Sequence, residues 1–167
     1  MEVRSVEAIV KALNDAKVQY LIVGGLAVNA HGFLRFTSDV DLVIALEPAN
    51  ITAGLRALKG AGYNLKIPVT PEQFADPATR EKWRSEKNML VLQLWSDAHR
   101  ATPVNVFITE PFPFLEEQSR APQFEVAPGL WAPFVSKETL LKMKQAAGRP
   151  QDIEDVRRLN RLGFENK

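Results

Sequence analysis

Two glycines and two aspartates in one short stretch hold the chemistry available to this chain. Residues 21–44 read LIVGGLAVNAHGFLRFTSDVDLVI, an apolar run broken by Gly24-Gly25 and followed by Asp39-x-Asp41. Gly24 and Gly25 lack a Cβ, so the backbone there can take positive φ and turn its N–H groups toward an anion. Successive N–H groups leading into a helix make a cradle for phosphate. Strand-to-helix turns also use glycine for geometry alone, so the pair by itself does not separate a ligand loop from a turn. Asp39 and Asp41 stand at i and i+2, which on a strand puts both carboxylates on one face. Two such charges repel, and one takes up a proton unless a cation lies between them. Hard divalent ions prefer oxygen ligands of this kind, and magnesium is usually held by one or two carboxylates plus substrate phosphates. The competing account is a solvated pair on an edge strand. Arg35, Thr37 and Ser38 lie just upstream and can offer a guanidinium and two hydroxyls to a triphosphate.

These groups act together only if the surrounding elements bring them to one place. Val6, Ile9, Val10 and Leu13 recur at helical spacing and predict an amphipathic first helix. Val18 to Val23 is a continuous apolar run that reads as a buried strand, with a short helix following through Leu26 to Ala30. Asp39 to Leu46 predicts the next strand, with Val40, Leu42 and Ile44 facing a core and fixing its register. Asn50 can N-cap a helix carrying Ile51, Leu55 and Leu58, stopped by Gly60 and Gly62. Tyr63 to Ile67 reads as a strand, and the charged stretch Pro71 to Lys87 as a partly helical, mobile flap. Asn88 to Trp95 and Pro103 to Ile108 predict an antiparallel pair joined by Ser96 to Thr102. Phe124 to Ala127 and Leu130 to Val135 predict a hairpin around Pro128-Gly129. Ser136 can cap a helix containing Leu140, Leu141 and Met143 and ending at Gly148. Pro150 suits the first turn of a last helix with Ile153, Val156 and Leu159 on one face. The expected fold is α/β: a mixed β-sheet flanked by helices in one domain, with a sheet-containing core over 1–135 and a C-terminal helical pair over 136–167.

Composition narrows the function classes. With 167 residues, 46% hydrophobic and 25% charged, the chain has an ordinary globular balance, which excludes disordered, collagen-like and coiled-coil classes. Val18 to Phe33 is interrupted by polar residues and falls short of the roughly 20 apolar residues a membrane span needs. No basic-then-apolar secretion signal opens the chain. There are no cysteines, which excludes thiol catalysis and Cys-based zinc sites and makes the cytoplasm the expected home. Only two histidines, His31 and His99, are present, so a His-rich zinc site is not expected. The net charge of +1 supplies no field that would draw the protein onto nucleic acid. From Lys137 onward eight basic residues face five acidic ones, a local excess of three that suits an anion-facing end or a solvated helix face.

The order Gly-Gly, about a dozen residues, then Ser-Asp-x-Asp-Leu resembles the nucleotidyltransferase fold of the DNA polymerase beta superfamily. The surrounding text, GGLAVNAHGFLRFTSDVDLVI, is most similar to its small bacterial branch of antibiotic nucleotidyltransferases and nucleotidyltransferase-like members of toxin–antitoxin pairs. The C-terminal KETLLKMKQAAGRPQDIEDVRRL is also similar to the helical end of several such proteins. The resemblance implies magnesium- or manganese-assisted transfer of a nucleoside monophosphate, with pyrophosphate leaving. Gly24 and Gly25 would hold the β- and γ-phosphates with help from Ser38, and Asp39 and Asp41 would ligate the metal.

One departure follows from the same resemblance. The family places a third carboxylate on a later strand, and the matching position in Val104-Asn105-Val106 is an amide. An amide oxygen can ligate a metal, but it carries no charge and cannot serve as a general base. Nucleotide binding is therefore expected to outlast fast transfer, and Asn105→Asp is expected to raise turnover. Asp97, Glu110 and Glu125 are the carboxylates that could substitute in space. Lys144, in the penultimate helix, can reach a triphosphate as a point charge. Arg149 and Asp152 flank Pro150 at a helix start and read as structural, Asp152 suiting the helix dipole, and His31 reads as a locally hydrogen-bonded ring. Trp83, Trp95 and Trp131 read as core or rim residues, and Phe107, Phe112 and Phe114 as core or a hydrophobic contact surface. Two functions are expected from these residues. One is transfer from a nucleoside triphosphate to a hydroxyl on a small molecule, a tRNA or a partner protein. The other is a catalytically weak, antitoxin-like module that binds nucleotide and a helical partner protein.

Overall fold

In the computed structural model, which describes residues 1–165, two strands and one turn fix where the acidic pair lies. Strand β1 (Tyr20–Val23) is buried along its whole length, which explains its unbroken apolar run. It pairs antiparallel with β2 (Val40–Ile44) so that Val23 stands opposite Asp41. Helix α1 (Val3–Asp15) precedes β1 and buries Val6, Ile9, Val10 and Leu13 as its period predicts. Helix α2 (Gly24–Ala30) begins directly after β1, two residues before the predicted Leu26.

The rest of the sheet is built around β2. Strands β3 (Asn64–Leu65), β4 (Val91–Trp95) and β5 (Val104–Phe107) complete the order β1-β2-β5-β4-β3. β5 lies parallel to β2 and antiparallel to β4, so the predicted pair over the Ser96–Thr102 turn forms. β3 is only two residues long, shorter than the predicted Tyr63 to Ile67. The hairpin β6 (Gln123–Ala127) and β7 (Leu130–Pro133) turns at Pro128-Gly129 and docks on β1, where Val135 N–H donates to the Ile22 carbonyl at 3.0 Å.

Several helices differ from their predicted detail. Helix α3 (Pro48–Gly60) starts at Pro48, whose ring suits the first turn, and not after an Asn50 cap. Asn50 instead accepts from Gln19 N–H at 2.8 Å and donates to the carbonyls of Gln19 and Ala45, tying the β1 entry to the β2 exit. The stretch predicted as a flap forms α4 (Pro71–Ala75) and α5 (Pro77–Lys87), pinned by fully buried Phe74 stacked on Trp83. Buried Arg80 donates to the Phe74 carbonyl at 2.7 Å, which explains a charged residue on the inner face.

Helix α6 (Phe114–Arg120) leads to the hairpin, and α7 (Lys137–Ala147) is capped by Ser136 and ends at Gly148 as predicted. Helix α8 (Pro150–Glu165) corrects a further prediction: Ile153 points outward, and Asp152, Asp155 and Leu159 form the buried face. Residues 166 and 167 of the expected C-terminal pair lie outside the described residues. No helix among the described residues is long and apolar enough to cross a membrane. Trp83 is buried while Trp95 and Trp131 are half exposed, and Phe112 and Phe114 are core residues with Phe107 packed against the core.

Candidate active site

The antiparallel register places Asp41 beside the first residue of α2. Gly24 has φ +69°, and a Cβ there would overlap Asp41 Oδ2, so the turn and the carboxylate require glycine for both conformation and space. A Cβ on Gly25 would overlap Thr37 Oγ1 and approach Arg35 Nη1 to 3.3 Å. The loop after α2 thus folds back onto the glycine turn. Alternation along that loop sends Leu34 and Phe36 into solvent while Arg35 and Thr37 face the turn.

Asp39, Asp41 and Asn105 converge. The parallel pairing sets Asn105 opposite Asp41, and the Asn105 amide donates to Asp41 Oδ1 at 2.9 Å and to Asp39 Oδ2 at 3.3 Å. Ser38 Oγ donates to the other Asp39 oxygen at 2.7 Å. Burial raises the Asp41 carboxyl above its ordinary pKa; the Asn105 hydrogen bond opposes this, while the Asp39 charge adds to it. Lys144 and Arg149 lie near enough to favour its charged form.

The donor set suits a hard divalent ion, because two carboxylates share one small space. Asn105 is buried, and its Oδ1 has no hydrogen-bond partner. Turned by half a rotation, the amide would present that oxygen, and not its N–H group, to a cation between the aspartates. No group of three His, Cys, Asp or Glu able to hold a metal occurs among the described residues. Asp97 is paired with Arg100 on the surface, and Glu125 accepts from Gly129 N–H. Neither these two nor Glu110 lines the cleft, so none replaces the missing third carboxylate.

The cleft has a volume of about 240 Å³ and a cationic wall opposite the aspartates. Gly24, Gly25, Asp39 and Asp41 line the cleft together with Arg35, Thr37, Ser38 and Lys144, while Asn105 lies behind the aspartates and Arg149, read from the sequence as structural, joins the lining. Lys144 is buried between Asp152 Oδ1 at 3.1 Å and Asp155 Oδ2 at 3.0 Å. Arg149 forks onto Asp152, with Nε at 2.6 Å, and Arg35 forks onto Asp155 at 2.7 and 2.8 Å. Burial alone would raise both aspartate pKa values. Hydrogen bonds from Arg149 and Lys144 to Asp152, and from Arg35, Gln151 and Lys144 to Asp155, outweigh it and hold both below the ordinary carboxylate range.

Arg149 and Asp152, read as structural, partner each other at the helix start and also border the cleft. Asp155 escaped the sequence altogether. Its signal was the i, i+3 spacing from Asp152 on the Leu159 face, masked by an apolar alternative through Ile153 and Val156. His31 lies outside the cleft, hydrogen-bonded to the Val135 carbonyl at 2.8 Å and edge-on to Phe124.

A mixed sheet that sets an aspartate pair against a Gly-Gly turn is a nucleotidyltransferase fold, and the chain's likeness to solved structures shows the same. The lincosamide antibiotic adenylyltransferase LnuA, in a lincomycin-bound crystal structure, matches with a TM-score of 0.61 at 14% identity. The match covers 94% of this chain and 95% of that one. The antibiotic-resistance factor ANT(2'')-Ia in solution gives 0.60 at 15% identity over 98% of this chain and 85% of that one. A nucleotidyltransferase-like protein from Paracoccidioides brasiliensis gives 0.58 at 19% identity over 96% and 76%. Compared by sequence, the chain matches no protein-family model and no curated protein.

Proposed function

We propose that the cleft binds a magnesium–nucleoside triphosphate and that the protein transfers the nucleoside monophosphate to a hydroxyl acceptor. The observation that carries this is the approach of Asp41 to the Gly24 turn, so close that residue 24 has no room for a Cβ, with Asp39 lining the same cleft. In the transfer, the acceptor oxygen bonds to the α-phosphorus while the bond from that phosphorus to the bridging oxygen breaks. Pyrophosphate leaves with the electron pair. Asn105 cannot take the hydroxyl proton, so it passes to solvent. Asp39 and Asp41 would hold the divalent ion, which neutralises phosphate charge and polarises the reacting phosphoryl group. Gly24 and Gly25 offer backbone to the β- and γ-phosphates, and Arg35, Ser38, Lys144 and Arg149 supply charge and hydrogen bonds. ANT(2'')-Ia has been captured with adenylyl-2''-tobramycin and LnuA with lincomycin, which supports a small hydroxylated acceptor and ATP as the donor to try first.

Asn105 favours a second reading. Its amide already satisfies both carboxylates without a metal, as suits a module that binds nucleotide weakly and serves a helical partner in the manner of an antitoxin. Thermal unfolding with each of the four nucleoside triphosphates, with and without magnesium, tests the shared premise. Ligand at 100 times its dissociation constant stabilises by about 2.7 kcal/mol, a rise of roughly 5–10 °C for a domain of this size. The expected rise needs magnesium and disappears in Asp39→Ala; no rise with any triphosphate refutes a nucleotide site. Pyrophosphate release on adding an acceptor then separates transferase from binding module.

A further inference from the structure

We propose that Asp155 is a positioning residue that sets Arg35 and Lys144 against the phosphates; the inference rests on the nucleotide reading above. Asp155 is fully buried on α8. Arg35 Nε and Nη2, Lys144 Nζ and Gln151 Nε2 all reach its carboxylate, at 2.7, 2.8, 3.0 and 3.0 Å. The two cations come from separate parts of the chain, Arg35 from the loop before β2 and Lys144 from α7. Asp155 does not line the cleft, so it reaches a ligand there only through them.

Donor counting shows what is left for that ligand. Arg35 has five N–H groups and gives two to Asp155 and one to the Phe36 carbonyl, which leaves two. Lys144 has three and gives one each to Asp152 and Asp155, which leaves one. A forked guanidinium is fixed in its plane, so its remaining N–H groups point in set directions, and the ammonium between two buried carboxylates is equally constrained. Long, flexible side chains thereby lose their rotamer freedom in folding and not in binding.

Charge alone makes the opposite forecast. Asp155 cancels part of the cationic wall, so removing its charge would tighten the hold on any polyanion. Positioning forecasts a looser hold, and the two differ in sign.

The test titrates Asp155→Asn and the unmodified protein with magnesium tripolyphosphate by calorimetry, and with manganese alone by electron paramagnetic resonance. Tripolyphosphate carries the linked phosphates without a base. The variant is expected to lose about tenfold in tripolyphosphate affinity, the worth of one well-directed charge-assisted hydrogen bond. Its manganese affinity, set by Asp39 and Asp41, is expected to stay unchanged. Tripolyphosphate affinity equal to or above that of the unmodified protein overturns the inference. A parallel loss of manganese also overturns it, because the role would then be merely structural. Should Asp155→Asn fail to fold, Arg35→Lys keeps the charge and loses the fork; the same selective loss is expected, and unchanged affinity refutes the proposal. An unmodified protein that binds neither tripolyphosphate nor any nucleoside triphosphate removes the nucleotide reading first, and this inference with it.

Discussion

Asn105 donates to Asp41 Oδ1 at 2.9 Å across the parallel pairing of β2 and β5, and the same amide reaches Asp39 at 3.3 Å. One neutral side chain thus occupies the point where two carboxylates would otherwise repel. It lowers the cost of burying Asp41 while supplying no anion and no base.

Replacing that amide by a carboxylate separates folding from turnover. Asn105→Asp crowds a third negative charge into the cluster and removes the N–H donor to both aspartates. Without divalent ions, a loss of about 2 kcal/mol is expected, read as a midpoint lower by about 4–8 °C for a domain of this size. Magnesium should restore most of it and raise pyrophosphate release above that of the unmodified protein. A variant with native stability in chelator, or with lower turnover in magnesium, contradicts this account of Asn105.

The raised pKa of Asp41 has a defined consequence for stability against pH. Its carboxyl binds a proton more tightly in the folded chain than in the unfolded one, so its contribution is most favourable in acid and declines as pH rises through the raised value. At neutral pH the buried charge is a burden, and Asp41→Asn is expected to gain about 0.5–2 kcal/mol. The gain should vanish below about pH 4, where the native carboxyl is protonated in both states. Asp152 and Asp155 run the other way. Their lowered values stabilise the fold above the ordinary carboxyl range, and that contribution is lost as pH falls through them. Asp152→Asn should therefore cost about 3 kcal/mol at neutral pH, with the deficit shrinking in strong acid. Denaturant titrations at several pH values check both signs; a Asp41→Asn gain that persists unchanged into acid would be inconsistent with the burial argument.

The glycine turn offers a third separation. Gly24→Ala forces an ordinary residue into positive φ, at about 1–2 kcal/mol, and drives a methyl group into Asp41. Gly25 carries no positive-φ demand, but Gly25→Ala pushes Thr37 away and crowds Arg35. Both variants are expected to lose the magnesium-dependent thermal shift with nucleotide, and Gly24→Ala, which adds backbone strain to the steric overlap, should lower the midpoint without ligand further than Gly25→Ala, by several degrees. A Gly24→Ala midpoint equal to that of the unmodified protein would show that Gly24 tolerates a side chain.

Much of the site was legible in the chain because its grammar is local. Alternation in Asp39 to Leu46 put both aspartates on one face, and alternation in Val104-Asn105-Val106 put Asn105 away from the core-facing valines. The parallel register of β2 and β5 then brought the two patterns together. Asn50 departs from its reading for the converse reason: an asparagine near a helix start usually caps it, but here the Gln19 N–H and carbonyl, 31 residues away, and the nearby Ala45 carbonyl claim its side chain. The charged stretch around Arg80 reads as a mobile flap because its partner, the Phe74 carbonyl, becomes available only once α4 and α5 fold together.

By itself the sequence determined the Gly-Gly turn, the acidic pair and the amide that faces it, since each follows from a period of two or from a missing Cβ; helix α6 carried no such signal and went unread. Only the tertiary structure decided that α8 turns its aspartates inward. Periodicity ranks faces by apolar content, and on that measure Ile153 and Val156 outweigh Asp152 and Asp155. What reverses the ranking is the ion pairing of Asp155 with Arg35, 120 residues away, and with Lys144. A buried carboxylate is tolerable only where such partners arrive, and their arrival is a property of the folded chain.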